Sequence, residues 1–185
     1  MEYYSKANSF LNEVIDDREG LPISLAVLFI ELARKAGISI EGIGVPRHFI
    51  VRHKPPGGKA SLIDVFDKCK MITLEDAARL SGTRLAEADL VPGSKRDILE
   101  RMVRNLINVA TLEQDIQALM RYLDLALVIR ANSAIDRWQR AVLRSRTGQP
   151  AGAASDLDWL IENHPEGIDQ GSVESLRRRL RAQGF

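Results

Sequence analysis

Cysteine is nearly absent: Cys69 is the only one in 185 residues, so no disulfide can form within the chain. That usage fits a reducing compartment, and a cytoplasmic location is the expectation. Long apolar runs are missing too. The longest, Leu25 to Ile30, is far short of the roughly 20 residues that cross a bilayer, and the opening "MEYYSKANSF" is too polar for a secretory signal, so no membrane partner is expected. Charge of one sign is also lacking: 26 Lys and Arg against 25 Asp and Glu leave +1. Such a balance creates no global field for nucleic acid, and nucleic acid is not expected as a partner. The one basic cluster, "LRRRLR" at Leu176 to Arg181, reads as the solvated face of a terminal helix.

What is present is an ordinary globular composition, 45% apolar and 28% charged, enough for one sizeable domain or two small ones. Phe10, Leu11, Val14 and Ile15 recur at helical spacing from Asn8 to Asp16, with Asn8 or Ser9 as cap. A second helix is predicted from Pro22, suited to a first turn, to Gly37, suited to a left-handed stop. Its apolar residues cover nearly every face, which predicts a buried helix. Period two then takes over: "ISIEGIGV", "HFIVRH" and "SLIDVF" read as three strands, the last two separated by the loop "KPPGGKA". In "TLEDAARLSG", Thr73 and Asp76 stand at capping-box positions of a short helix. After the loop "VPGSK", Val91 to Lys95, only helical patterns follow, which places the expected domain boundary there: residues 1–91 and 92–185.

Three residues carry candidate chemistry. Ser24 is a lone hydroxyl at the start of the apolar helix, His48 opens one strand, and Asp64 lies in another. If these strands pair, His48 and Asp64 become neighbours, and the start of the Ser24 helix can pack beside them as nucleophile, base and orienting group. The alternative is a helix cap, a hydrogen-bonded core histidine and a strand-end carboxylate. Cys69 in "FDKCKM" reads as a partly exposed thiol in a turn. His48, His53, Asp64 and Asp67 make a poor metal set, since positions 48 and 53 fall on opposite strand faces. No cofactor and no metal are called for.

The segments "NSFLNEVIDDREGLPISLAVLFIELARKAGISIEGIGVPRHFIVR", "IDVF" and "RMVRNLINVA" resemble the SirB1 family, in order and over nearly the whole chain. The resemblance implies an α+β fold: a transglutaminase-like, papain-like domain of helix plus small antiparallel sheet, then an all-helical tetratricopeptide-type region. It also implies family helices ahead of the point where this chain begins. The transglutaminase-like fold places a nucleophilic cysteine at a helix N-terminus and histidine and aspartate on adjacent strands, and Ser24, His48 and Asp64 fall at those positions. Serine there is usual for the SirB1 group. A thiol can be held as thiolate beside an imidazolium, whereas a hydroxyl must lose its proton during attack. Two residues depart from the family pattern: Arg47 stands in "VPRHF" where glycine is usual, a candidate for the pocket rim, and Val65 replaces proline in "DVF", which predicts easier continuation of the strand.

In the helical half, aligning Pro165 with the final proline of a 34-residue tetratricopeptide repeat puts Ala141, Gly148 and Ala153 at small or turn positions. Residues 134–165 therefore read as a degenerate repeat and 96–132 as a further helix pair. Trp138 and Trp159 read as interhelical anchors. The expected function is a protein- or peptide-binding module, a pseudoenzyme or weak catalyst; the alternative is a serine-dependent acyl-transfer enzyme using Ser24, His48 and Asp64.

Overall fold

The structure is a computed structural model that describes residues 5–185. The chain forms two compact units, residues 1–105 and 106–185, and the change of periodicity at 91–95 coincides with the start of a long helix.

In the first unit a short 3-10 turn, Lys6–Ser9, leads into α1 (Leu11–Asp17) and then α2 (Pro22–Lys35). Pro22 occupies the first turn of α2, and Gly37 follows its end with φ +75°. Four strands come next, β1 (Ile40–Val45), β2 (His48–His53), β3 (Ser61–Asp64) and β4 (Lys70–Ile72), in an antiparallel meander of order β1-β2-β3-β4. Strand alternation divides the core in two. Phe49 and Val51 pack with Leu21, Ile23 and Ala26 on the α2 side. Ile43, Val45 and Ile50 pack on the other side with Ala77 of α3 (Leu74–Ser81). The Thr73–Asp76 capping box is formed: Thr73 N–H donates to Asp76 at 2.9 Å and Asp76 N–H donates to Thr73 Oγ1 at 3.1 Å.

Four expectations need correction. Neither Asn8 nor Ser9 caps α1: both lie in the preceding 3-10 turn, and Phe10 stands at the cap position without a side-chain cap bond. Only the N-terminal part of α2 is buried, and Leu32 is 66% exposed. β4 was not anticipated; its three residues are too few to show alternation, and it follows two non-glycine residues at positive φ, Lys68 and Cys69. β3 stops at Asp64 despite Val65, because Asp64 Oδ1 accepts from Phe66 N–H at 3.0 Å and Asp67 N–H at 3.3 Å and so turns the chain. Cys69 is exposed in the turn that follows.

α4 (Lys95–Leu112) begins in the first unit. The second unit carries α5 (Ile116–Ile129), α6 (Ala134–Arg146), α7 (Pro150–Asn163) and α8 (Gln170–Ala182). Ala141 and Ala153 are fully buried where α6 and α7 approach, and Gly148 between them has φ +72°, the left-handed turn the spacing asks for. Trp138 and Trp159 pack against the core formed with α8. A charge network crosses this packing: Asp156, 1% exposed, accepts from Arg137 at 3.3 Å, Arg140 at 2.6 and 2.9 Å, and Arg144 at 3.0 Å. Asp124 accepts from Arg140 and Arg144 as well. Burial lowers the Arg137 pKa from its ordinary value, with Asp156 opposing; burial acts on Arg140 in the same direction, but its hydrogen bonds to Asp156 and Asp124 outweigh it and raise the pKa. No helix among the described residues is long and apolar enough to cross a membrane.

Candidate functional site

β2 pairs with β3 so that Val51 faces Ile63 and Arg52 faces Leu62. Carrying that register on brings Asp64 opposite Ile50 and diagonal to His48, all three on one face. The side chains meet: His48 Nε2 lies 3.0 Å from Asp64 Oδ2, with the histidine 9% and the aspartate 3% exposed. The contact is short, but its geometry is not that of an aligned N–H···O bond. Asp64 Oδ1 is held by the two backbone N–H groups of the following turn, which fixes the carboxylate against the ring. Phe66 packs edge-on to His48, with ring centroids 6.1 Å apart. Nε2 faces Asp64, and neither ring nitrogen of His48 makes a hydrogen bond with good geometry among the described residues.

Ser24 is bonded elsewhere. Its hydroxyl is fully buried and donates to Asn8 O at 2.7 Å, with Leu21 O at 3.0 Å as second acceptor. One hydroxyl has one proton, so these carbonyls take what a base would have to take. Gly20 closes over it: a Cβ at Gly20 would lie 2.8 Å from Ser24 Oγ. Asn8 O also accepts from Leu21 N–H at 3.2 Å, so the 3-10 turn and the head of α2 are tied by two bonds to one carbonyl. The structure thus brings His48 and Asp64 together and leaves the Ser24 proton in a backbone network.

A small pocket of about 110 Å³ lies beside the pair, lined by the first turn of α2, Arg47, His48, Arg101 and Asn105; Ser24 does not line it. Arg47 sits in the two-residue turn between β1 and β2 with φ +61°, the left-handed conformation that glycine adopts without cost. Its guanidinium reaches the end of α3, where a Cβ on Gly82 would be 3.6 Å from Arg47 Nη1. Arg101 clamps the same hairpin by donating to Val45 O at 2.9 Å and His48 O at 2.7 Å, with its guanidinium 5.7 Å from the centre of the Phe49 ring. Gly44 makes room for it: a Cβ there would lie 2.8 Å from Arg101 Nη1. Sequence reasoning missed Arg101, Asn8 and Gly20. For Arg101 the signal was its place at the head of "RMVRNLINVA"; for Asn8 the interacting atom is a backbone carbonyl, which side-chain identity does not reveal.

His53 Nδ1 lies 3.3 Å from Ser39 O, away from His48. Among the described residues no three His, Cys, Asp or Glu side chains gather as a metal site.

Residues 1–104 match the family model described as transglutaminase-like superfamily, and residues 106–181 match a tetratricopeptide-repeat model. The chain is 31% identical over 173 residues to a UPF0162 protein of Xylella fastidiosa, covering 89% of this chain and 61% of that one. It is 29% identical over 181 residues to F-box only protein 21 of Pongo abelii, covering 92% of this chain and 28% of that one. A UPF0162 protein of Vibrio cholerae is 24% identical over 185 residues, with 97% of this chain and 67% of that one covered. The chain therefore spans less than two thirds of the Xylella and Pongo relatives. No solved structure matches.

Proposed function

Because the chain belongs to the transglutaminase-like superfamily and continues into tetratricopeptide-repeat helices, we propose that it is a non-catalytic module that binds a protein or peptide partner. We take the kinship to run to the SirB1 group, on the segments quoted above, and the compartment to be the cytoplasm. The carrying observation is the Ser24 hydroxyl: buried, covered by Gly20, and donating to the carbonyls of Asn8 and Leu21. To act as nucleophile it would have to give up these acceptors inside a closed core and find His48 in the same motion. Its job on this reading is to lock the head of α2. His48, oriented by Asp64, is then one wall of a pocket whose polar side chains also include Arg47 and Asn105.

The test is a hydrolysis and transamidation screen over amide and ester substrates, comparing wild type with Ser24→Ala and His48→Ala. The expected result is no turnover that depends on Ser24. Turnover abolished by Ser24→Ala would overturn the reading.

One observation favours a second reading, a serine-dependent acyl-transfer enzyme: His48 and Asp64 are brought within 3.0 Å of each other. On that reading Ser24 attacks, His48 takes its proton and Asp64 orients the ring. It requires that an acylating probe label Ser24 in the wild type and fail to do so in His48→Ala.

A further inference from the structure

The arginines of α6 and α8 differ in what they meet. Arg137, Arg140 and Arg144 converge on Asp156, and Arg177 donates to Asp158 at 2.6 and 3.1 Å. Arg146, near the end of α6, and Arg179, on α8, have no carboxylate partner among the described residues, and both side chains are exposed. These two line one open groove of about 550 Å³ between α6 and α8, and no Asp or Glu lines it. Asp169, at the head of α8, is committed as its cap, accepting from the N–H groups of Gly171 and Ser172 and from the Ser172 hydroxyl at 2.6 Å. The groove also offers the Ser175 hydroxyl and the Gln183 amide as donors, and an apolar wall from Trp138 and Val142.

We propose that this groove seats an acidic peptide segment of a partner protein, its carboxylates on Arg146 and Arg179 and an apolar side chain against Trp138 and Val142. This rests on the binding-module reading above and gives that module a face and a ligand chemistry. An unpaired guanidinium offers a bidentate match to a carboxylate, and two across a groove without acids select against basic segments. A nucleic acid fits less well. Two cations neutralise few phosphates, and the groove has a single aromatic side chain, where single-strand binding uses a series of them.

The experiment is fluorescence anisotropy on the full chain with three labelled probes: a glutamate-rich decapeptide carrying one leucine, its lysine counterpart, and a ten-residue oligothymidylate. The glutamate peptide is expected to bind saturably. The double variant Arg146→Gln/Arg179→Gln is expected to weaken it by about tenfold or more, the order of two lost charge-assisted contacts. Arg178→Gln/Arg181→Gln removes the same charge from exposed positions that do not line the groove and is expected to stay within about twofold. All four positions are exposed, and a thermal melt checks that each variant folds. Absence of saturable glutamate binding, equal weakening in both doubles, or tighter binding of the oligothymidylate overturns the proposal. If the lysine peptide saturates the groove instead, the charge assignment fails and the module reading stands. If the chain cleaves or acylates the bound peptide through Ser24, the module reading fails and the groove assignment stands.

Discussion

The two units bury polar groups by opposite means. In the first, Ser24 is satisfied by backbone carbonyls and Asp64 by two backbone N–H groups, with His48 in contact. In the second, Asp156 is satisfied wholly by side chains, three guanidinia converging on one carboxylate. Backbone partners come with the fold and stay in place when a side chain is changed, whereas a side-chain network loses its balance when one member goes. The first unit thus keeps the outline of a reactive site while tying its hydroxyl into structure. The second commits Arg137, Arg140, Arg144 and Arg177 to carboxylates on neighbouring helices and leaves Arg146 and Arg179 over beside one groove.

The comparison can be broken at four points. Asp156→Ala removes the carboxylate shared by three partly buried cations, leaving Arg137 without one and Arg140 and Arg144 with Asp124 alone, and the expected loss is about 3 kcal/mol, read from urea unfolding of the full chain; a loss under about 1 kcal/mol would show the network to be dispensable. Asp64→Ala removes the acceptor of two N–H groups and the carboxylate that His48 contacts, for an expected loss of about 1–3 kcal/mol by the same measurement. Arg47→Gly relieves a left-handed residue and is expected to raise stability by up to about 1 kcal/mol, unless the guanidinium at the end of α3 offsets the strain.

The smallest effect is a pH dependence. The Asp76 carboxyl is held down to about 2 by the backbone N–H of Thr73 first, then by the Thr73 hydroxyl and Arg79. Its folded pKa lies below the ordinary 3.8, so the stability it contributes is present above about pH 3.8 and is lost as pH falls through about 2. Thermal melts of Asp76→Asn between pH 5 and 2 are expected to show a shallower decline than wild type. Because the group is partly exposed, the difference is small.

Legibility followed the range of the interaction. Pro22 and Gly37 marked the limits of α2, and Thr73 with Asp76 marked the start of α3, since caps and turns depend on residues a few positions apart. The His48–Asp64 pair was readable from strand alternation once β2 and β3 paired. Two things were not readable. β3 ends because Asp64 bonds its own downstream backbone, a choice that overrode the β-branched Val65. The Ser24 hydroxyl finds a carbonyl sixteen residues away, and Arg101 finds one fifty-three residues away. Backbone acceptors are present at every residue, so no residue type announces which one will be met.

The central claim is that the Ser24 hydroxyl is a structural link and no nucleophile. Intact-mass analysis after incubation with a fluorophosphonate probe at neutral pH tests it most directly, with wild type, Ser24→Ala and His48→Ala treated in parallel. The account predicts no adduct on any of the three folded proteins. An adduct on the wild type that maps to Ser24, and disappears in both variants, would contradict it.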